Sequence, residues 1–264
     1  MRDLNILICE GNTPEEGNIF TDVGIPTHTE SLKESLAYFN TNLKIDVLNP
    51  CLELNLNQIV PNLKKYDGLI WGGSSLNIYN DTPEIRRQIS FMKECFKNIN
   101  KILAICWGMQ VAVTAAGGVV KKGQNGSHRG IAHEININEH GLNHPLYKDK
   151  NKIFNTPAFN YDEVATLPNK AVLLSSNKVN NVMGLNFKFE AANIWGIQYH
   201  PEITYEKMIT LINFRKENLI NNKSFNDEND LNAHIKIIED EIKITNKDSR
   251  MKELKNWLDL IKNQ

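Results

Sequence analysis

The sequence predicts an α/β protein with a doubly wound, mostly parallel β-sheet. Mostly apolar segments, of the kind found in buried parallel strands, recur at residues 4–9, 67–71 and 102–105, and a further strand is predicted at 43–48. Segments with apolar residues at helical spacing lie between them, at 30–39 and 83–96. Strands that alternate with helices form βαβ units, and successive units build an open parallel sheet.

Composition and charge narrow the class of protein. The chain has 264 residues, 41% of them hydrophobic, which is enough for one sizeable core. A formal net charge of -1 gives no overall attraction to nucleic acid or to an anionic membrane. No apolar run is long enough to span a bilayer, and the N-terminus runs into a strand rather than a signal peptide. The four cysteines contain no Cys-x-x-Cys pair and are too few for a disulfide framework, so we expect a cytoplasmic protein. We also expect a small-molecule substrate.

Cys106 is the first candidate for a catalytic residue. It follows the apolar run at 102–105 and precedes helix-forming residues, so it falls at a strand-to-helix turn. Small residues stand two positions away on each side, Ala104 and Gly108, as in a nucleophile elbow. A thiol at a helix N-terminus is favoured as the reactive thiolate. A free cysteine is also often a small buried hydrophobic residue, and this motif alone does not decide between the two interpretations.

A second motif lies at 194–202, where an apolar strand ends in His200, Pro201 and Glu202. Proline disfavours helical geometry for the residue before it, and in an extended chain residues i and i+2 point the same way. The carboxylate could then hold one imidazole nitrogen and leave the other to take the proton of Cys106. The alternative is a histidine at a strand end beside a surface glutamate.

Together the two motifs, Ala-Ile-Cys-Trp-Gly-Met-Gln at 104–110 and Gly-Ile-Gln-Tyr-His-Pro-Glu at 196–202, resemble the class I (triad-type) glutamine amidotransferases. The resemblance is greatest to free-standing proteins similar to the amidotransferase half of GMP synthase, and it covers roughly residues 4–219. It implies a flavodoxin-like fold without a cofactor or a metal. It also implies that Cys106 is the nucleophile, His200 the general base and acid, and Glu202 the residue that orients the histidine.

The paired glycines after the third strand, Gly72 and Gly73, allow the backbone to approach a ligand closely. By the resemblance, the N–H groups of Gly73 and Trp107 form the oxyanion hole. The chain departs from the family pattern at Ser74, where relatives often have proline. The alternative is an ordinary tight turn.

The same resemblance suggests which residues meet the substrate. It places Gln110 in the glutamine pocket, Asp162 against a substrate ammonium group, and Asn160 among the substrate-binding residues. Relatives usually carry a histidine where this chain has Asn160, and this departure leaves room for a substrate other than free glutamine. Four other histidines (His128, His133, His140 and His144) lack metal-ligand spacing with a cysteine or an acidic residue, and no metal site is predicted.

The connection at 10–28 is unusually long for a compact domain. It leaves the carboxyl end of the first strand, the edge at which doubly wound sheets bind ligands, so it is interpreted as a substrate-covering loop. His28, at its end, is interpreted as an exposed or helix-capping neighbour of Thr27 and Glu30 rather than a catalytic group.

The second half of the chain adds alternating segments at 131–137, 171–174 and 182–189, which predict antiparallel strands that extend the sheet. A helix is predicted at 205–220, and a polar linker follows before two amphipathic segments. We therefore expect one catalytic domain at 1–220 and a C-terminal helical extension at 221–264. The extension either packs on the domain or presents a docking surface to a partner.

The predicted activity is hydrolysis of the glutamine side-chain amide to glutamate and ammonia through a glutamyl thioester. The sequence contains no synthase signature, so the ammonia passes to a separate acceptor enzyme or the protein acts alone. One alternative is a γ-glutamyl hydrolase or peptidase that acts on a larger amide. Another is a non-catalytic regulatory protein of the same fold. The oligomeric state is left open.

Overall fold

The computed structural model describes residues 3–39 and 42–263. The strands in these residues are β1 Leu4–Cys9, β2 Leu43–Leu48, β3 Gly68–Trp71, β4 Lys101–Ile105, β5 Val119–Lys122, β6 His128–Arg129, β7 Ala132–Ile137, β8 Ile153–Thr156, β9 Phe159–Asn160, β10 Asp162–Thr166, β11 Val172–Ser176, β12 Gly184–Phe189 and β13 Ala192–Ile197. The helices are α1 Pro14–Asp22, α2 His28–Phe39, α3 Leu56–Ile59, α4 Pro83–Asn98, α5 Trp107–Ala115, α6 Glu139–Leu142, α7 Tyr205–Phe214, α8 Lys216–Asn221, α9 Glu228–Ile244, α10 Lys247–Arg250 and α11 Lys252–Lys262.

The main sheet has nine strands in the order β2-β1-β3-β4-β13-β12-β11-β7-β8. Its first half is parallel, from β2 through β1, β3 and β4 to β13. From β13 onward the pairs are antiparallel. The predicted α/β fold is confirmed, and its sheet is a parallel half with an antiparallel extension.

Helices cover both faces of the parallel half, which explains why its inner strands β1, β3, β4 and β13 are almost entirely buried, whereas the edge strand β2 alternates in sequence and is partly exposed. On one face, Phe91 and Met92 of α4 and Met109 of α5 pack into a core cluster with Trp71. On the other face, Leu32 and Leu36 of α2 share a cluster with apolar residues of α11 (Leu254, Trp257, Leu258 and Ile261). The end of the chain thus supplies one of the two layers that bury the sheet.

Two local predictions differ from the structure. The connection at 10–28 contains a helix, α1, because Thr13 and Glu16 form a capping box and Pro14 opens the first turn. The helix predicted at 205–220 is divided into α7 and α8 at Arg215.

The C-terminal extension also contacts the chain around His200. Arg250, at the end of α10, donates hydrogen bonds to the carbonyl oxygens of Pro201 and Ile203. The Tyr199 hydroxyl donates to Glu253 Oε1 over 2.7 Å, and Lys150 Nζ lies 3.0 Å from the same oxygen, with both charges buried. Among the described helices, none combines the length and apolar character needed to cross a membrane.

Replacing Trp257 tests whether the extension is part of the fold. Trp257 is fully buried, and its ring would lie 2.6 Å from a Cβ added at Gly68 on β3. Trp257→Ala is expected to lower the free energy of unfolding by about 3–5 kcal/mol, because it empties the contact between α11 and the sheet. Urea denaturation measures the change, with Ile244→Ala, at a residue 75% exposed, as the control. A loss no larger than that of the control would mean that the extension does not stabilise the domain.

Candidate active site

The parallel pairing of β4 with β13 brings the two sequence motifs to one edge of the sheet. Ile105 is in register with Ile197 at the carboxyl ends of these strands. The N–H of Cys106 donates to the carbonyl oxygen of Ile197 over 2.7 Å. The chain that leads to His200 therefore leaves the sheet directly beside the cysteine.

Cys106 itself has a strained backbone, with φ 51° and ψ -103°. Strain of this kind persists only where the surrounding contacts hold it in place. Here the helix backbone packs against β3, since a Cβ at Gly108 would lie 2.3 Å from the carbonyl oxygen of Trp71. The Gly108 N–H also donates to the Gly72 carbonyl oxygen over 3.1 Å. The predicted nucleophile elbow is therefore tied to the glycine pair after β3.

The Cys106 thiol is 4% exposed, and its Sγ accepts a hydrogen bond from Gln198 Nε2 over 3.4 Å. Burial, and next the negative charge of Glu202, raise the pKa of the thiol to about 12, although the Trp107 N–H and Gln198 act to lower it. The Trp107 N–H at the start of α5 acts to lower the pKa of the thiol, as expected for a helix N-terminus, but burial outweighs this effect. A thiol with a raised pKa needs a base in order to react.

His200 and Glu202 are paired as predicted. His200 Nδ1 lies 2.7 Å from Glu202 Oε1, and both side chains are buried. Burial acts to raise the pKa of Glu202, but His200, and less strongly His28, hold it at about 2. An ionised carboxylate only accepts, so Nδ1 carries the proton and Nε2 is the free acceptor nitrogen. No hydrogen bond joins Cys106 to His200 in the part of the chain that the structure describes.

His28 is the residue that sequence reasoning missed. Its side chain is only 15% exposed, and its ring stacks on that of His200 with 5.0 Å between centroids and 25° between planes. Its Nδ1 lies 3.7 Å from Glu202 Oε1. Thr27 and Glu30 do form the expected cap at the start of α2, and that cap turns His28 inward. The long connection after β1 was the available signal.

The three side chains of His28, His200 and Glu202 also form a group whose ligand atoms all lie within 4.8 Å of one another, close enough to hold a metal ion. The four histidines considered from spacing alone are not among them. In this group the His200 to Glu202 hydrogen bond already uses one ligand atom of each residue. The absence of a metal stays a prediction.

The glycine pair after β3 lies against both imidazoles. A Cβ added at Gly73 would lie 2.6 Å from His28 Cε1 and 2.7 Å from His200 Cε1, so only glycine fits there. No described residue accepts a hydrogen bond from the Gly73 N–H. Ser74, the departure from the family pattern, accepts from the Leu76 N–H over 3.2 Å and closes the turn.

A buried set of polar contacts supports this loop from behind. The Ser75 N–H donates to Asn12 Oδ1 over 3.0 Å, and a Cβ at Gly11 would lie 2.6 Å from the Gly73 carbonyl oxygen. Gln88 accepts from Trp107 Nε1 over 2.7 Å. The start of the long connection and the start of α5 thus fix the loop from two sides.

Two of the predicted substrate-binding residues, Gln110 and Asp162, have buried side chains with few hydrogen-bond partners. Gln110 is buried on α5, one turn after Cys106, and its Oε1 has no hydrogen-bond partner in the described chain. Asp162 is buried and accepts from the Tyr79 hydroxyl over 3.1 Å. Burial raises the pKa of Asp162, although Tyr79 and Lys122 act to lower it. Both side chains therefore lie buried, and the Gln110 amide oxygen has unused hydrogen-bonding capacity.

The Asn160 side chain forms hydrogen bonds with the backbone of Asp162 and with the ring of His128. Its Nδ2 donates to the Asp162 carbonyl oxygen over 2.9 Å, and its Oδ1 lies 2.8 Å from His128 Nδ1. Asn177 Nδ2 donates to the other ring nitrogen of His128 over 2.9 Å, so Nδ1 carries the proton. Asn180 Nδ2 donates to the same Asp162 carbonyl over 3.1 Å. The side chain of Asn160 therefore holds the backbone beside the site.

A family model for class I glutamine amidotransferases matches residues 21–216, more than half of the chain. The chain belongs to the class I glutamine amidotransferase family. The resemblance of the two sequence motifs to that family is confirmed.

Two curated relatives indicate the range of activities within this amidotransferase family. A gamma-glutamyl-L-1-hydroxyisopropylamide hydrolase from a Pseudomonas species is 30% identical over 207 residues, 77% of this chain and 69% of the relative. A glutamine-hydrolyzing GMP synthase subunit from Methanosphaera stadtmanae is 31% identical over 159 residues, 56% of this chain and 76% of the relative.

A solved structure supports the fold of this amidotransferase along the whole chain. A glutamine amidotransferase from Thermotoga maritima superposes with a TM-score of 0.67 at 18% identity, and the match covers 100% of both chains. At that identity the likeness concerns the fold alone.

The buried His128 gives the protein a defined dependence of stability on pH. Burial lowers the pKa of His128 from 6.5 to about 4, although its hydrogen bonds to Asn160 and Asn177 act to raise it. The unfolded chain takes up this proton near pH 6.5 and the folded chain only near pH 4. The stabilisation is therefore complete above pH 6.5 and declines as the pH falls to 4, by about 1.4 kcal/mol per pH unit.

Urea unfolding of the wild type and of His128→Gln across this range measures the effect. The wild type is expected to lose more free energy of unfolding on acidification than the variant does. Other histidines are common to both proteins, so their titration cancels in the comparison. Parallel stability curves would contradict the assignment.

Proposed function

We propose that this protein is a cysteine-dependent hydrolase of the side-chain amide of γ-glutamyl groups, glutamine among them. The observation that carries the proposal is the position of the His200 and Glu202 pair at the sheet edge where the strained Cys106 emerges. In this proposal the two motifs act as one Cys-His-Glu triad.

The first step of the reaction forms a tetrahedral intermediate. His200 Nε2 takes the proton of Cys106 as the sulfur attacks the amide carbon, and the negative charge moves to the amide oxygen. The N–H groups of Gly73 and Trp107 are the proposed donors to that oxygen. Glu202 stabilises the imidazolium, and His28, stacked on the same ring, restricts its rotation.

Collapse of this intermediate forms the thioester, and hydrolysis of the thioester then releases the acid. His200 returns its proton to the amide nitrogen, the carbon–nitrogen bond breaks, and ammonia or an amine leaves. A water molecule then gives a proton to His200 and attacks the thioester carbon. The carbon–sulfur bond breaks, the carboxylic acid leaves, and the thiol of Cys106 takes the proton back.

Two buried residues are proposed to hold the rest of the γ-glutamyl group. Gln110 Oε1, which lacks a partner, can accept a hydrogen bond from the substrate. Asp162 can pair with the ammonium group, since burial makes its lone charge costly until a cation arrives.

A larger γ-glutamyl amide is the second candidate substrate. Asn160, which replaces the histidine usual in relatives, uses its side chain on His128 and on the Asp162 backbone. The 30% identity to a gamma-glutamyl-L-1-hydroxyisopropylamide hydrolase favours the same candidate. For glutamine itself, the likeness to the GMP synthase subunit of Methanosphaera stadtmanae suggests that a separate acceptor enzyme receives the ammonia.

The decisive assay measures glutamate, ammonia and amine release from L-glutamine and from a panel of γ-glutamyl alkylamides. Cys106→Ala is expected to abolish release from every substrate, because the thioester cannot form. Cys95→Ala is the matched control, since Cys95 is also fully buried but lies in α4, in the core on one face of the sheet. Release from glutamine would identify a glutaminase, and release only from alkylamides a γ-glutamyl hydrolase. No release from any of them would contradict the proposal and point to a regulatory protein.

Gly73→Ala tests whether the close packing of this loop against the imidazoles positions the proposed base. Alanine keeps the backbone N–H, but the added methyl group would lie 2.6 Å from His28 Cε1 and 2.7 Å from His200 Cε1 and would displace both rings. The turnover number is expected to fall by about 100-fold or more, the usual contribution of a positioned general base. Steady-state kinetics give the change, and circular dichroism checks the fold. Near wild-type turnover in a folded variant would mean that this packing does not position His200.

A further inference from the structure

Arg215 places a cation where three segments around the site meet. It lies between α7 and α8, and its Nη2 donates to Ser75 Oγ over 3.1 Å. Its guanidinium carbon lies 5.0 Å from the centre of the Phe159 ring and 5.6 Å from that of Phe20. Phe20 belongs to α1 in the long connection, Ser75 follows Gly73 by two positions, and Phe159 precedes Asn160.

Arg215 forms no ion pair within 4.0 Å in the part of the chain that the structure describes, and the carboxylate of Glu16 acts on it only from a greater distance. Burial lowers the pKa of Arg215, and the groups that act against this effect are Tyr161 and Glu16. Glu16 is already used in its capping box, where its Oε2 accepts from the Thr13 N–H over 3.3 Å. A partly buried guanidinium with aromatic rings for neighbours is stabilised when an anion binds, and carboxylates suit its planar donors best.

We propose that Arg215 is a specificity-determining residue that binds a carboxylate of the substrate at the mouth of the site. This inference rests on the proposed function and deepens it by naming the carboxylate as the substrate group that Arg215 recognises. Asp162 then meets the ammonium group and Arg215 a negative group. The carboxylate has two sources, the α-carboxylate of the γ-glutamyl unit and one on the amine portion.

Binding in the Cys106→Ala background tests the inference without turnover. Four ligands separate the two sources: L-glutamine carries only the α-carboxylate, γ-L-glutamylglycine carries both, 4-aminobutanoylglycine carries only the one on the amine portion, and 4-aminobutanamide carries neither. Calorimetric titration gives the dissociation constant of each. Arg215→Gln removes the charge and Arg215→Lys keeps it. Arg86→Gln is the control, as that exposed arginine pairs with Asp81 on the surface.

Arg215→Gln is expected to weaken ligands with the relevant carboxylate by about 10- to 100-fold, and to leave 4-aminobutanamide unchanged. Loss for glutamine and γ-glutamylglycine assigns the α-carboxylate, whereas loss for the two glycine conjugates assigns the amine portion. Arg215→Lys is expected to retain part of the affinity, and the control all of it.

Equal weakening of all four ligands would overturn the inference, since it would mean that Arg215 only holds α1 and the Ser75 loop in place. Unchanged affinities, or no binding of any carboxylate ligand, would also overturn it. The proposed function fails separately: ligands that bind with the predicted Arg215 dependence but are not hydrolysed by the Cys106-containing chain would refute hydrolysis alone.

Discussion

The close approach of α5 to β3 is the constraint on which the site depends. Gly108 can lie against the Trp71 carbonyl only because it has no Cβ, and this contact holds Cys106 in its strained conformation. The same backbone contact fixes Gly72, and with it the orientation of the Gly73 N–H. One packing interaction therefore sets the positions of both the thiol and the proposed oxyanion donor.

The electrostatics of the site follow from its burial. Glu202 orients His200, yet its charge is also one of the causes that raise the pKa of the Cys106 thiol to about 12. A resting thiolate would therefore lie in a desolvated region beside a carboxylate. In the proposed reaction the proton moves to His200 while the negative charge leaves the sulfur for the substrate oxygen. The site avoids two neighbouring anions at every step.

The C-terminal helices contribute to the site through packing rather than through chemistry. Arg250 binds the carbonyl oxygens on either side of Glu202, and Glu253 accepts from Tyr199, the residue before His200. Lys150 balances the buried charge of Glu253. Removing one member of such a buried pair is costly, so the turn that carries the proposed base is held by contacts from the far end of the chain.

The sequence by itself determined the features whose geometry is local. The turn at Cys106 needs only a strand, a helix and small neighbours, and the alignment of His200 with the glutamate that follows needs only an extended chain. Tertiary structure decided the stacking of His28 on His200, the hydrogen bonds of the Asn160 side chain to His128 and the Asp162 backbone, and the aromatic rings around Arg215. It also decided how strongly burial opposes the helix N-terminus in setting the pKa of the Cys106 thiol. These properties depend on burial and on contacts between residues distant in the chain, and neither is encoded in a local pattern.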